Sequence, residues 1–90
     1  MSSEPWRLVV AGPAARDLDH LPEKALGAVL GSLESIARNP RGVGKPLRFE
    51  LEGLWVARRG PYRVVYRSDD VERQVAVVAI DHRRDIYRRR

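Results

Sequence analysis

The apolar positions of this chain change period along its length, and the changes mark out its elements. Residues 6–11, "WRLVVA", form a short apolar run of strand type, broken by Gly12 and Pro13. From Pro13 the segment "PAARDLDHL" places Ala14, Ala15, Leu18 and Leu21 at helical spacing, with proline in the first turn. Pro22 opens a second helix in the same way, with Glu23 near its positive end. There Leu26, Val29, Leu30, Leu33, Ile36 and Ala37 make one stripe of 3.6-residue period, and "NP" at 39–40 ends it. Gly27 and Gly31 fall off the centre of that stripe, each costing helix stability of about 1 kcal/mol relative to alanine.

The second half is patterned for strands. "RGVGKPLRFELEG" is expected to be an irregular connector. "LWVAR" and "YRVVYR" alternate about an "RGP" turn, and "SDD" forms the next turn. "RQVAVVAI" is nearly all apolar after Gln74, as an inner strand or one covered on both faces would be. "DHRRDIYRRR" is expected to be a single helical turn or an irregular tail. The order β-αα-βββ predicts an α+β fold: a mostly antiparallel sheet, a helical hairpin packed on it and a short C-terminal element. No internal repeat divides the chain, and 90 residues suit one domain spanning 1–90.

Composition sharpens the function classes. There is no cysteine, which excludes disulfides and thiolate metal sites. The N-terminus lacks the basic start and apolar stretch of a signal peptide, and no apolar run nears the about 20 residues that span a bilayer, so a cytoplasmic protein with no membrane partner is expected. The net charge is +5, and its placement matters more than its size. Residues 1–57 hold seven basic and seven acidic groups, whereas residues 58–90 hold ten arginines and five acids. The whole excess therefore lies in the strand-rich half and the tail. Arginine suits bidentate phosphate contact, so a polyanion or an acidic protein is the implied partner.

Within residues 62–67, alternation puts Tyr62, Val64 and Tyr66 on one face and Arg63, Val65 and Arg67 on the other. Two readings of Arg63 stand: a guanidinium on a solvated sheet face, or a phosphate ligand. In the preceding strand Val56 and Arg58 share a face, and Arg58 lies beside Arg63 if the hairpin register permits. Two guanidinium groups on one face repel unless an anion or carboxylate lies between them, which favours a site. In the tail, His82 is either a surface or capping histidine or a general acid–base group, imidazole being the side chain that exchanges protons near neutral pH. Tyr87 either anchors the tail to the sheet or stacks beside RNA. Arg88, Arg89 and Arg90 form a basic end that raises nonspecific polyanion affinity. His20 is expected on a helix surface. No glycine-rich phosphate loop, HExxH or nucleophilic serine context is present, and Asp81 with His82 makes no metal site.

Taken together, "AARDLDHLP", "NPRGVGKPLRFELEGLWVARRGPYRVVYRSDD" and "VAVVAIDHRRDIYRR" resemble the RelE toxins of bacterial type II toxin–antitoxin modules, in the RelE/ParE superfamily. The likeness runs nearly the full length and looks closest to actinobacterial members. The combination of a PL–GLW segment, a G-x-Y-R-V-x-Y strand, an acidic turn, an apolar strand and H-R-x-x-x-Y carries it. The resemblance implies a ribosome-dependent endoribonuclease that cuts mRNA in the A site of the 70S ribosome without metal or cofactor. The reaction is a 2′-OH transphosphorylation leaving a 2′,3′-cyclic or 3′-phosphate. It also implies an acidic, RelB-like antitoxin as partner in a hetero-oligomer. Carried over by position, the phosphate-contacting strand arginine falls on Arg63, the terminal arginine on Arg83 and the late aromatic on Tyr87. One family lysine falls on Arg58 and a second on Val56. Arginine does not serve as a base, so either another group takes the proton, with His82 as the candidate, or catalysis rests mostly on electrostatics and on the ribosome's positioning of the mRNA. Arg59, Arg67, Arg84, Arg88, Arg89 and Arg90 are expected to contact RNA or the ribosome. The alternative is a ParE-like toxin of the same fold that poisons DNA gyrase by binding.

Overall fold

The computed structural model describes residues 5–82. The expectations for Arg83, Arg84, Tyr87, Arg88, Arg89 and Arg90 lie outside the described residues. The elements run β1 (Arg7–Val10), α1 (Gly12–Asp19), α2 (Glu23–Arg38), α3 (Pro40–Val43), β2 (Lys45–Pro46), a 3-10 turn (Phe49–Leu51), β3 (Trp55–Arg59), β4 (Tyr62–Asp69) and β5 (Gln74–His82). The strands form one sheet in the order β1-β5-β4-β3-β2. Its neighbours pair antiparallel except β1 with β5, which are parallel.

The helices begin and end where proline dictates. Pro13 lies in the first turn of α1, Pro22 immediately precedes α2, and Pro40 starts α3. Asn39 closes α2 and accepts a hydrogen bond from Gly42 N through its side chain, capping α3. Along α2, Val29, Leu33, Ile36 and Ala37 are buried, but Leu30 at one margin of the predicted stripe stays exposed. Helices and sheet share a core of Ala14, Val29, Leu33, Ile36, Ala57, Val64, Tyr66, Val75, Val77 and Ile80. All the strand residues among these belong to one face; among the described residues no helix contributes to a core on the opposite face. A Cβ on Gly27 or Gly31 would meet nothing within 4 Å. Gly27→Ala is therefore expected to raise unfolding stability by about 1 kcal/mol, measured by denaturant titration, because it removes only backbone freedom from the unfolded chain.

Two expectations are corrected here. The connector contains α3, the edge strand β2 and the 3-10 turn, in place of irregular chain. Asp81 and His82 belong to β5 rather than to a tail, because β4 is long enough to pair with them: Arg63 opposes Asp81 and Tyr62 opposes His82. A bulge lies inside β5, where Val65 pairs with Ala79 but Tyr66 with Val77, leaving Val78 as the extra residue. Val75 and Val77 face the core before it, and Ile80 does so after it. The bulge therefore switches which parity of β5 points inward.

Tyr66 ties the sheet to the α3–β2 corner. Its ring is fully buried and its hydroxyl donates to Pro40 O. Burial raises its pKa from 10.0 to about 12. The folded state thus holds this proton more tightly than the unfolded chain does. The resulting stability is present below pH 10 and is lost as pH rises toward 12. We expect wild type to lose on the order of 2 kcal/mol through this group across that window. In denaturant titrations at increasing pH, the stability gap between wild type and Tyr66→Phe should narrow accordingly.

Candidate functional site

The β3–β4 hairpin positions the arginines. Arg59 pairs with Tyr62, leaving Gly60 and Pro61 as a two-residue turn, and Gly60 sits at φ 59°, where glycine is favoured. So short a turn leaves the register little freedom, and Arg58 lies directly opposite Arg63. Residues opposite one another in adjacent strands share a face, so Arg58, Arg63 and Asp81 form one row across β3, β4 and β5. Arg58 is exposed, Arg63 half-buried, and Asp81 only 6% exposed. The next row on this open face runs Lys45, Val56, Val65, Ala79, and a further one joins Arg67 to Ala76 and Val9. The open face thus carries cations around an apolar strip.

Like charges directly opposed on a sheet destabilise it. Arg58 and Arg63 stand in that relation, and Asp81 flanks Arg63 on the other side. This arrangement suits a bound anion, which would draw both guanidinium groups together. Arg67 is exposed on the same face, beside a recess lined by Ser68, Asp69, Asp70, Gln74 and Ala76. Arg59 is also exposed, but at the hairpin end and with the opposite parity.

His82 lies elsewhere. It opposes Tyr62, and the two rings meet edge-on with centroids 5.3 Å apart. With Asp17, His20, Leu21, Pro22 and Ile80 they line a hollow of about 370 Å³ on the helix side of the sheet. Asp17 Oδ2 accepts from Ile80 N at 3.0 Å, satisfying a β5 amide beyond the stretch that β1 pairs. Arg63 and His82 therefore face opposite sides of the sheet. The structure unites Arg58 and Arg63 and separates His82 from both. His20 is exposed, as expected, with Nδ1 2.7 Å from Arg16 O. Among the described residues no group of three or more His, Cys, Asp or Glu is placed to hold a metal ion, and no helix is long and apolar enough to cross a membrane.

Sequence reasoning missed Lys45. It pairs with Val56, one of the two positions where the resemblance puts a lysine, and with Val43, Val56 and Arg58 it lines a recess of about 230 Å³. Its strand is two residues long, too short for any periodicity to reveal. The only signal was Pro46 beside it, a residue suited to a sheet edge.

Comparison with known proteins agrees with this geometry. Residues 8–87 match the family described as the ParE toxin of the type II toxin-antitoxin system parDE. Toxin RelG of Mycobacterium tuberculosis is 46% identical over 86 residues, covering 94% of this chain and 99% of the relative. Toxin RelE of the same organism is 47% identical over 88 residues, covering 93% and 88%. Among solved structures, the toxin-antitoxin complex RelBE2 from Mycobacterium tuberculosis superposes with TM-score 0.84 at 41% identity, covering 90% of this chain and 94% of that one. The isolated Escherichia coli RelE toxin superposes with TM-score 0.74 at 18% identity, covering 86% and 83%, a likeness of fold alone.

Proposed function

The chain belongs to the RelE toxin family, in the RelE/ParE superfamily of bacterial type II toxin–antitoxin modules, and on that footing we propose that it is a ribosome-dependent endoribonuclease. It would cut mRNA in the A site by metal-independent attack of the 2′-OH on the adjacent phosphate. The observation that carries this reading is the pairing of Arg58 with Arg63 on an open sheet face. Positive charge fixed in advance where a pentavalent phosphorane forms stabilises it without reorganisation during reaction. In this scheme Arg63 grips the scissile phosphate, Arg58 faces the developing charge, and Arg83 and Tyr87 act as the resemblance assigns them. Arg59 and Arg67, with the terminal Arg84, Arg88, Arg89 and Arg90, contact RNA or the ribosome. His82, on the far side of the sheet, is given no step. The 2′-OH proton passes to solvent water as its oxygen attacks, the departing 5′-oxygen takes a proton from solvent, and the ribosome supplies the in-line geometry of its mRNA.

The proposed inhibitor is an acidic, RelB-like antitoxin that covers the cationic face and the helix pair in a hetero-oligomer in the cytoplasm, over a toxin of one domain. Exposed Leu30 on α2 and Val9 on the open face offer apolar footing for such a chain. The test is in vitro translation followed by primer extension. Cuts at fixed codon positions, appearing only with ribosomes and suppressed by the adjacent-gene antitoxin, are the expected result. Intact mRNA would remove the nuclease reading.

A second reading keeps a specific support. The matching family is named for ParE, and Val56 and Arg58 occupy the positions where the resemblance puts lysines. On this reading the chain poisons DNA gyrase by binding, and its expression triggers DNA-damage signalling while mRNA stays whole.

A further inference from the structure

We propose that Lys45 extends the Arg58–Arg63 pair into a second phosphate subsite, holding the neighbouring nucleotide of a single RNA strand. The inference rests on the nuclease reading for its biological meaning but not for its measurement.

Three observations place it. Lys45 opposes Val56 across the β2–β3 edge, so its side chain emerges on the open face with Arg58, two residues farther along β3. Lys45, Arg58, Val43 and Val56, two cations and two valines, line one recess of about 230 Å³. The corner that carries Lys45 is held firmly. Tyr66 donates to Pro40 O at the start of α3, and Gly44 lies so close to Tyr66 and Val56 that it has no room for a side chain.

A recess lined by two valines and two cations fits a nucleotide, whose ribose or base covers the valines while its phosphate meets the cations. Strand spacing of about 4.8 Å puts β2 roughly 10 Å from β4. That exceeds the spacing of adjacent phosphates along one strand, and the long side chains of Lys45 and Arg63 make up the difference, with Arg58 on the strand between them. An RNA strand crossing the sheet from β4 toward β2 would meet Arg63, then Arg58, then Lys45. Lysine beside proline on an edge strand also discourages pairing with another chain. That role requires no RNA contact, so binding measurements separate the two.

The probe is a short single-stranded RNA carrying 2′-O-methyl groups throughout, which cannot be cut. Its affinity for the purified toxin is followed by fluorescence anisotropy over a range of KCl concentrations. Lys45→Met is expected to weaken binding about threefold to fivefold and to flatten the slope of log K against log [salt] by about 0.7, the loss of one phosphate contact. Lys45→Arg is expected to keep both near wild type. Lys45 is exposed, so the variants should fold, and thermal melts confirm it. Unchanged affinity and slope in Lys45→Met would overturn the subsite. An equal loss on a blunt RNA duplex would also overturn it, making Lys45 a general backbone contact. The nuclease reading fails separately, if the wild-type toxin makes no ribosome-dependent cut whatever Lys45 does to RNA binding.

Discussion

Arg63→Ala is expected to fold and to lose roughly 10²-fold or more of the ribosome-dependent cleavage rate, the usual loss for one fixed donor at a charged transition state. The fold should survive for two reasons. Arg63 is half-buried on the face opposite the core, so its removal opens no cavity there. It also stands opposite Arg58, and deleting one of two opposed cations relieves a repulsion. The rate should fall because Arg63 is the central member of the row, between Arg58 and the nearly buried Asp81. Arg63→Lys keeps the charge but loses the forked, bidentate contact, and is expected to fall between alanine and wild type. Primer extension on programmed ribosomes measures the rate, and circular dichroism the fold. A folded Arg63→Ala that cuts at the wild-type rate would falsify the assignment.

Gly44→Ala is expected to cost about 3 kcal/mol, at the top of the range for overpacking. Its backbone, at φ −105° and ψ −178°, is extended and open to any residue. The demand for glycine is one of space. A Cβ there would overlap Tyr66 Oη and lie 2.9 Å from both Tyr66 Cζ and Val56 O. Neither neighbour can yield cheaply. Tyr66 is fully buried with its hydroxyl committed to Pro40 O, and Val56 O belongs to the backbone of β3. For a domain of this size such a loss lowers Tm by more than roughly 10 °C. A thermal melt within a few degrees of wild type would show that the corner yields, and would weaken the case that it holds Lys45 in place.

The pattern of the chain determined much of this protein. Helical spacing from Leu26 to Ala37 located α2 and named Val29, Leu33 and Ile36 as its buried residues. Strict alternation from Tyr62 to Arg67 set the two faces of β4. These features are local: each follows from a period that a few consecutive residues define. The resemblance to RelE toxins was legible for the same reason, since its marks lie in continuous segments. The hairpin register was not among these features: the pattern gave a three-residue "RGP" turn, whereas Arg59 pairs with Tyr62, and only that pairing puts Arg58 against Arg63.

Tertiary structure alone decided the rest. In "VAVVAI" both parities are apolar, so no alternation could reveal the bulge at Val78, and only pairing with β4 shows that Asp81 joins Arg63 while His82 turns to the helices. The two residues of β2 carry no period, and Lys45 reaches the open face because β3 pairs with it. Glycine at 44 reads as an ordinary connector residue until Tyr66, distant in sequence, is packed against it. A strand's periodicity tells which residues share a face. Which face is covered, and which residues of other strands lie beside them, depends on contacts between segments far apart in the chain.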